Sequence, residues 1–291
     1  MFPIKTPVSY SICLAIFVFL SIKELTRVKK LTRFEAWNSC VWDELNIGKW
    51  EKSSRSHEFW NNSAALLSKC TLILELKMTK LPTSKMYVFP KNLTDERVHV
   101  TFGVENDGVA ELEMKTVRKL NGLIGSLTLI QITQNAQLYM TDTRSAHQNS
   151  SYHDIGTVLP LAIGRESRLI SRDYVYGTNE TLLKIDMVYF LREILNRDVY
   201  DSIWVNLKSF EFPIMKAIMK GAQFERNGIT ICQLNFKVEK SLENEEEFHR
   251  FFINLISERR YAMIVETSGT GLSMFLINYS SSECTTALGQ N

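Results

Sequence analysis

Apolar runs of strand length alternate with amphipathic helical stretches through most of this chain, and that alternation restricts the fold more than any other feature. The runs "KMYVFP", "RVHVTFGVEND", "AQLYMTDT" (136–143), "GTVLPLAIG" (156–164), "YDSIWVNL" (200–207) and "GITICQLNFKVE" (228–239) are suited to strands. Between them, "GVAELEMKTVRKL" (108–120) predicts a helix with Val109, Leu112, Val117 and Leu120 on or near one face. "LLKIDMVYFLREIL" (182–195) predicts a strand end and then a helix carrying Tyr189, Phe190 and Ile194. "PIMKAIMKGAQF" begins with Pro213 at a first helical turn, and "NEEEFHRFFINLISERR" (244–260) is amphipathic. "YAMIVETSG" and "GLSMFLINYS" close the chain as a hairpin. Strands separated by helices of this length pair in parallel and are covered on both faces, and a final hairpin adds one antiparallel strand at the edge. The expected fold class is therefore α/β, a Rossmann-like sheet, mostly parallel, with a C-terminal antiparallel hairpin. Ligands of such sheets lie beyond the carboxyl ends of the strands, where the strand order reverses. The positions to inspect are Gly103 to Asp107, Asp142, Asn206 to Glu211 and Asn235 to Glu239.

The N-terminus differs in kind. "VSYSICLAIFVFLSI" (8–22) is uncharged and apolar, and Lys23, Arg27, Lys29, Lys30 and Arg33 follow it. At about 15 residues it is shorter than the ~20 of a full bilayer span, and no small-x-small cleavage site follows it. An uncleaved signal anchor is the expectation, with secretion the alternative if the segment is cleaved. The basic flank alone would orient the C-terminal side to the cytosol. Sequons at Asn61, Asn92, Asn149, Asn179 and Asn278 point instead to a lumenal domain carrying glycans, in the Golgi or the endoplasmic reticulum. In such a compartment Cys40 and Cys70, each beside tryptophans, are the natural disulfide pair. Cys13 sits in the anchor, Cys232 in a predicted core strand and Cys284 near the tail. The expected division is 1–33 anchor and basic flank, 34–84 helical prefix, and 85–291 the α/β domain. A net charge of +2 and the absence of a basic stripe with interleaved aromatics give no reason to expect nucleic acid as a partner. The five histidines are scattered without metal-ligand spacing, so no metal site is expected.

At the strand ends the chain resembles the FkbM-type methyltransferases, in particular a membrane-anchored invertebrate branch of the secretory pathway. The likeness spans roughly residues 85 to 282 and rests on "VTFGVENDGVAE", "LYMTDT", "IGTVLPLAIG", "IDMVYFLREIL", "IWVNLKSFEF", "NGITICQLN" and "MFLINYSSSEC" in that order. It implies a class I methyltransferase sheet of seven strands that binds S-adenosylmethionine at the ends of the first two. Gly103 would allow close backbone approach at the first turn, Asp107 would serve that turn or cap the next helix, and Asp142 would meet the ribose hydroxyls. On the acceptor side the resemblance points to Asn206, Glu211 and Asn235, with Glu211 the one carboxylate left as a base. The acceptor would be a small molecule or a glycan.

The chain departs from the family pattern at three stations. "NLKSFEF" (206–212) stands where relatives show Asp-x-Glu-Gly-x-Glu-aromatic, Lys237 and Glu239 stand where an acid and a histidine are usual, and Glu105 replaces a second glycine. Asparagine keeps the shape of aspartate and loses the base, while lysine for glutamate reverses a charge. A methyltransferase-fold binding protein without catalysis is thus the rival to the enzyme, and a lumenal glycan-modifying transferase is a second alternative. Lys208 and Lys237 could alternatively face one anion. Read without the resemblance, Gly103 is a turn residue and Asp142 a turn former or helix cap.

Overall fold

The computed structural model describes residues 32–50, 55–92, 96–103, 109–115, 118–119, 128–129, 136–141, 155–171, 181–207 and 211–289. The expected anchor over 8–22 lies outside these residues, and no helix among them is long and apolar enough to cross a membrane.

The chain enters through helix α1 (Arg33–Gly48), opened by a capping box in which the Glu35 amide donates to Thr32 Oγ1 at 3.1 Å and the Thr32 amide donates to Glu35 Oε2 at 2.9 Å. Helix α2 (Ser56–Thr71) follows, and a disulfide joins Cys40 to Cys70 with the Cα atoms 5.7 Å apart. Trp37, Val41, Phe59 and Trp60 are buried in the same apolar cluster as Phe248 and Phe252 of the main domain, so these helices share its core.

A short antiparallel pair, β1 (Met78–Lys80) and β2 (Met86–Val88), precedes the first long strand, β3 (Arg97–Phe102). Helix α3 (Val109–Lys115) is next, then a two-stranded ladder of β4 (Arg118–Lys119) and β5 (Thr128–Leu129), and β6 (Ala136–Thr141). The helix expected over 108–120 is shorter and turned the other way: Val109 and Leu112 are exposed, while Ala110, Glu111 and Met114 are buried. The reason is a buried cation opposite Glu111, described below. The single strand expected over 156–164 is two, β7 (Thr157–Leu159) and β8 (Ala162–Gly164), because Pro160 lacks the N–H that a continuous ladder needs.

β8 belongs to a small sheet of order β8-β10-β9, with β9 (Arg168–Ser171) and β10 (Thr181–Asp186). Helix α4 (Met187–Tyr189) continues as a π turn over Phe190–Ile194 and leads into β11 (Val199–Val205). The helix expected from Pro213 is α5 (Glu211–Ala217) and a separate turn, α6 (Gln223–Arg226); Gly221 between them has φ 68°, a left-handed value no helix accommodates. Then come β12 (Thr230–Val238), α7 (Leu242–Glu258), the hairpin β13 (Tyr261–Ser268) and β14 (Gly271–Asn278), and α8 (Ser282–Leu288), a last helix the sequence did not announce.

The main sheet has the order β13-β14-β12-β11-β3-β6-β7. Its β12-β11-β3-β6-β7 pairs are all parallel, and β14 runs antiparallel to both β12 and β13. The chain leaves β3 toward β6 and β7 and later returns to β11 on the other side of β3. The order therefore reverses between β3 and β11, which defines the ligand crevice of an open α/β sheet. One face of the sheet, with Val98, Val100, Phe102, Ile203 and Leu234, packs in the large cluster that includes α7 and the two N-terminal helices. The other is more polar and lies under β2. There the side-chain amides of Gln233 and Asn235 pair with the main chain of Val88 and Met86 through four hydrogen bonds of 2.8 to 3.0 Å. Successive same-face positions of β12 thus substitute for a neighbouring strand and hold β2 across the sheet.

Candidate functional site

Gly103 ends β3 at the reversal with φ 77°. Its N–H points to Thr141 at the end of β6, 3.2 Å from both the carbonyl and the hydroxyl oxygen. The Asn206 N–H donates to the Phe102 carbonyl at 2.9 Å, and its carboxamide donates to the Gly103 carbonyl at 3.0 Å. A Cβ on Gly103 would stand 2.7 Å from Leu207 Cδ2, so the glycine is required both by its dihedral and by the closeness of the β11 turn. The carboxyl ends of β3, β6 and β11 are thereby tied together through Gly103, Thr141 and Asn206.

The expected site residues divide sharply. Gly103 and Asn206 come together. Asp107 and Asp142 lie outside the described residues, as do Glu105 and Lys208, and the side chain of Glu211, the first residue of α5, does as well. Asn235 is not on the crevice, because both ends of its carboxamide are bonded to Met86. Lys237 extends along Gly271 of the hairpin, with its Cε 3.2 Å from where a Cβ of that glycine would be. Glu239 is exposed, and its carbonyl accepts from the Asn244 carboxamide at 2.6 Å.

A group that the sequence did not reveal lies on the polar face of β3. Lys85 Nζ is 3.1 Å from Glu111 Oε1, both side chains are 5% exposed or less, and the Thr101 hydroxyl donates to the same oxygen at 3.1 Å. The ammonium also stands 4.8 Å from the centre of the Trp204 ring. This ion pair ties the segment before β2 to α3, the helix that follows the first-strand turn. Close by, His99 Nε2 is 3.4 Å from the Tyr87 hydroxyl, and burial pushes the imidazole down to about 4. Burial raises the Tyr87 phenol as well, so both groups stay neutral at physiological pH. Lys85 and Glu111 had no sequence signal beyond one acid on the side of a helix that turned inward.

The expected glycan sites also separate. Asn278 is 3% exposed; its carboxamide donates to Ile231 O and Tyr261 Oη and its oxygen accepts from Ser280, so it is a core residue, not an attachment point in the folded protein. Asn61 is exposed on α2 but engaged with His57 and Lys240, and Ser63 of its sequon is fully buried. Asn92 is exposed, and Asn149 and Asn179 lie outside the described residues. A second disulfide, absent from the sequence reading, joins Cys232 in β12 to Cys284 in α8. Among the described residues no three His, Cys, Asp or Glu side chains gather as metal ligands.

The fold and crevice define the chain as an α/β protein with a mostly parallel central sheet and a glycine turn at the point of strand reversal. No family model matches it, and no curated protein matches it. Among solved structures it is similar to the METTL16 MTase domain, at 12% identity and a TM-score of 0.36 over 64% of this chain and 61% of that one. A delta-N form of the same domain gives 12% identity and a TM-score of 0.37, over 64% of this chain and 76% of the other. The human methyltransferase 10 domain containing protein gives 15% and 0.32, over 64% and 73%. The chain spans under two thirds of the first of these structures.

Proposed function

We propose that this protein is an FkbM-like methyltransferase domain that takes S-adenosylmethionine at the carboxyl ends of β3 and β6, held to the secretory pathway by its N-terminal segment. One observation carries the reading: the strand order reverses beside β3, and the reversal is marked by Gly103 in a left-handed turn bonded to the end of β6. That turn sends the chain out of the sheet at the place where a nucleoside lies in folds of this kind. Gly103 and Asp142 would hold the cofactor, with Asp107 at the first turn. When bound, S-adenosylmethionine supplies an electrophilic methyl group. The protein's part is to orient the acceptor and receive its proton. Asn206 and Asn235 do neither, because their carboxamides are spent on Gly103 and Met86. The proton falls to Glu211. Two disulfides agree with an oxidising, lumenal location.

The bond from Asn206 to Gly103 favours a second reading, a binding protein that keeps the sheet without the chemistry. Where a base would stand, the side chain braces the turn. Calorimetry of the full chain with S-adenosylmethionine and S-adenosylhomocysteine tests both. Binding of both ligands, lost in Asp142→Ala, supports cofactor use, and methyl transfer abolished by Glu211→Gln then supports the enzyme. Absence of binding overturns the first reading and leaves the second.

A further inference from the structure

A cleft of about 300 Å³, whose lining includes none of Gly103, Thr141 and Asn206, lies between the end of β8, the start of α4 and the helices α5 and α6. Gly164, Arg165, Lys216, Gln223 and Arg226 contribute to its lining. The Lys184 side chain lies across Gly164 and brings a further cation to the edge. Among the described lining residues the one carboxylate is Asp186, and its Oδ1 accepts the Tyr189 N–H at 2.9 Å as the cap of α4. Lys216 has a 3.5 Å contact with Glu247 and is 65% exposed. Arg165 and Arg226 are exposed and make no ion pair with a described residue, whereas Arg168, Arg192, Arg197 and Arg260 each face a carboxylate.

Cations that outnumber the carboxylates of a concave site repel one another and raise the local concentration of anions. A guanidinium offers paired N–H donors in a plane that matches two oxygens of a phosphate or sulfate group. Arg165 directly follows β8, and Lys216 and Arg226 stand on α5 and α6, so the scaffold sets the spacing of their backbones. The volume is at the lower limit for small-molecule sites. We propose that this cleft binds a small phosphate or sulfate ester, with Arg165 and Arg226 gripping the oxyanion, Lys216 adding charge and Gln223 donating to the rest of the ligand. The proposal uses none of Gly103, Asp107, Asp142, Asn206 and Glu211, and it stands or falls independently of the methyltransferase reading.

Thermal melting and calorimetry of the full chain with glucose 6-phosphate, glucose 6-sulfate and glucose provide the test. One or both esters should raise the melting temperature of the wild type, and glucose should not; which ester acts identifies the oxyanion. Arg165→Gln with Arg226→Gln should weaken ester binding roughly tenfold or more, since charge-assisted bonds are lost. Without ligand, the double variant should melt as the wild type does, because both side chains are exposed. If it melts lower, Lys216→Gln alone provides the comparison and should also weaken binding. No response to either ester at low ionic strength, or a response unchanged in these variants, overturns the proposal.

Discussion

The carboxamide of Asn206 donates to the carbonyl of Gly103 at 3.0 Å, joining the ends of β11 and β3 across the point where the strand order reverses. Read from sequence alone, Asn206 is a solvent-facing strand end at which Asn206→Asp with Lys208→Glu costs within ~0.5 kcal/mol. The geometry changes that expectation. A carboxylate there would set an acceptor against an acceptor, so Asn206→Asp should destabilise by about 1 to 3 kcal/mol in urea denaturation at neutral pH. The penalty relative to wild type should shrink below pH ~4, where a protonated aspartate can donate again.

Gly103→Ala should cost about 1 to 3 kcal/mol, because a left-handed φ of 77° and the Leu207 side chain both oppose a Cβ. Leu207→Ala in the same chain should recover the steric part only. Equality of the single and double variants in a denaturation series would mean that the dihedral alone sets the cost.

Removing one partner of the buried Lys85–Glu111 pair leaves the other's charge buried without its counter-ion. Glu111→Ala or Lys85→Ala should therefore lose about 3 to 5 kcal/mol. Lys85→Met with Glu111→Leu should lose far less than the sum, and a double-mutant cycle by chemical denaturation measures the difference.

Non-reducing peptide mapping should recover Cys40 joined to Cys70 and Cys232 joined to Cys284. The second bond closes a separation of 52 residues, so Cys232→Ala with Cys284→Ala should destabilise by about 4 kcal/mol on the loop-entropy estimate. An unchanged melting temperature would show that α8 is held by packing alone.

Acid should weaken the fold before carboxylates titrate. His99 is driven down to about 4 by burial, with Arg97 lowering it further and Asp201 opposing, while in the unfolded chain it protonates near 6.5. Between those values the unfolded state binds the proton and the native state does not. Stability is thus full above about pH 6.5 and falls as pH drops toward 4, by about 2 kcal/mol at pH 5. His249, also lowered by burial, acts in the same direction. Denaturation midpoints across pH 5 to 7 should flatten in His99→Leu; an unaltered slope would assign the effect elsewhere.

The alternation of apolar strands and helices, the terminal hairpin and the glycine at the first strand end were legible in the chain, because periodicity and turn chemistry are local properties. Which face of 109–115 turns inward was not legible. Apolar Val109 and Leu112 pointed one way, and a lysine 26 residues before Glu111 decided the other. The run 156–164 reads as one strand, yet the two sides of Pro160 join different sheets.

The sequence by itself determined the α/β class, the end of the sheet at which the crevice opens and the glycine at the end of its first long strand. Only the tertiary structure decided how those residues are spent: Asn206 on Gly103, Asn235 on Met86, Asn278 on the core, and Cys232 on Cys284. The physical reason is that strand spacing and helix period are set by neighbours along the chain. A polar side chain's partner is set instead by whichever unsatisfied group the folded chain buries beside it, often more than a hundred residues away.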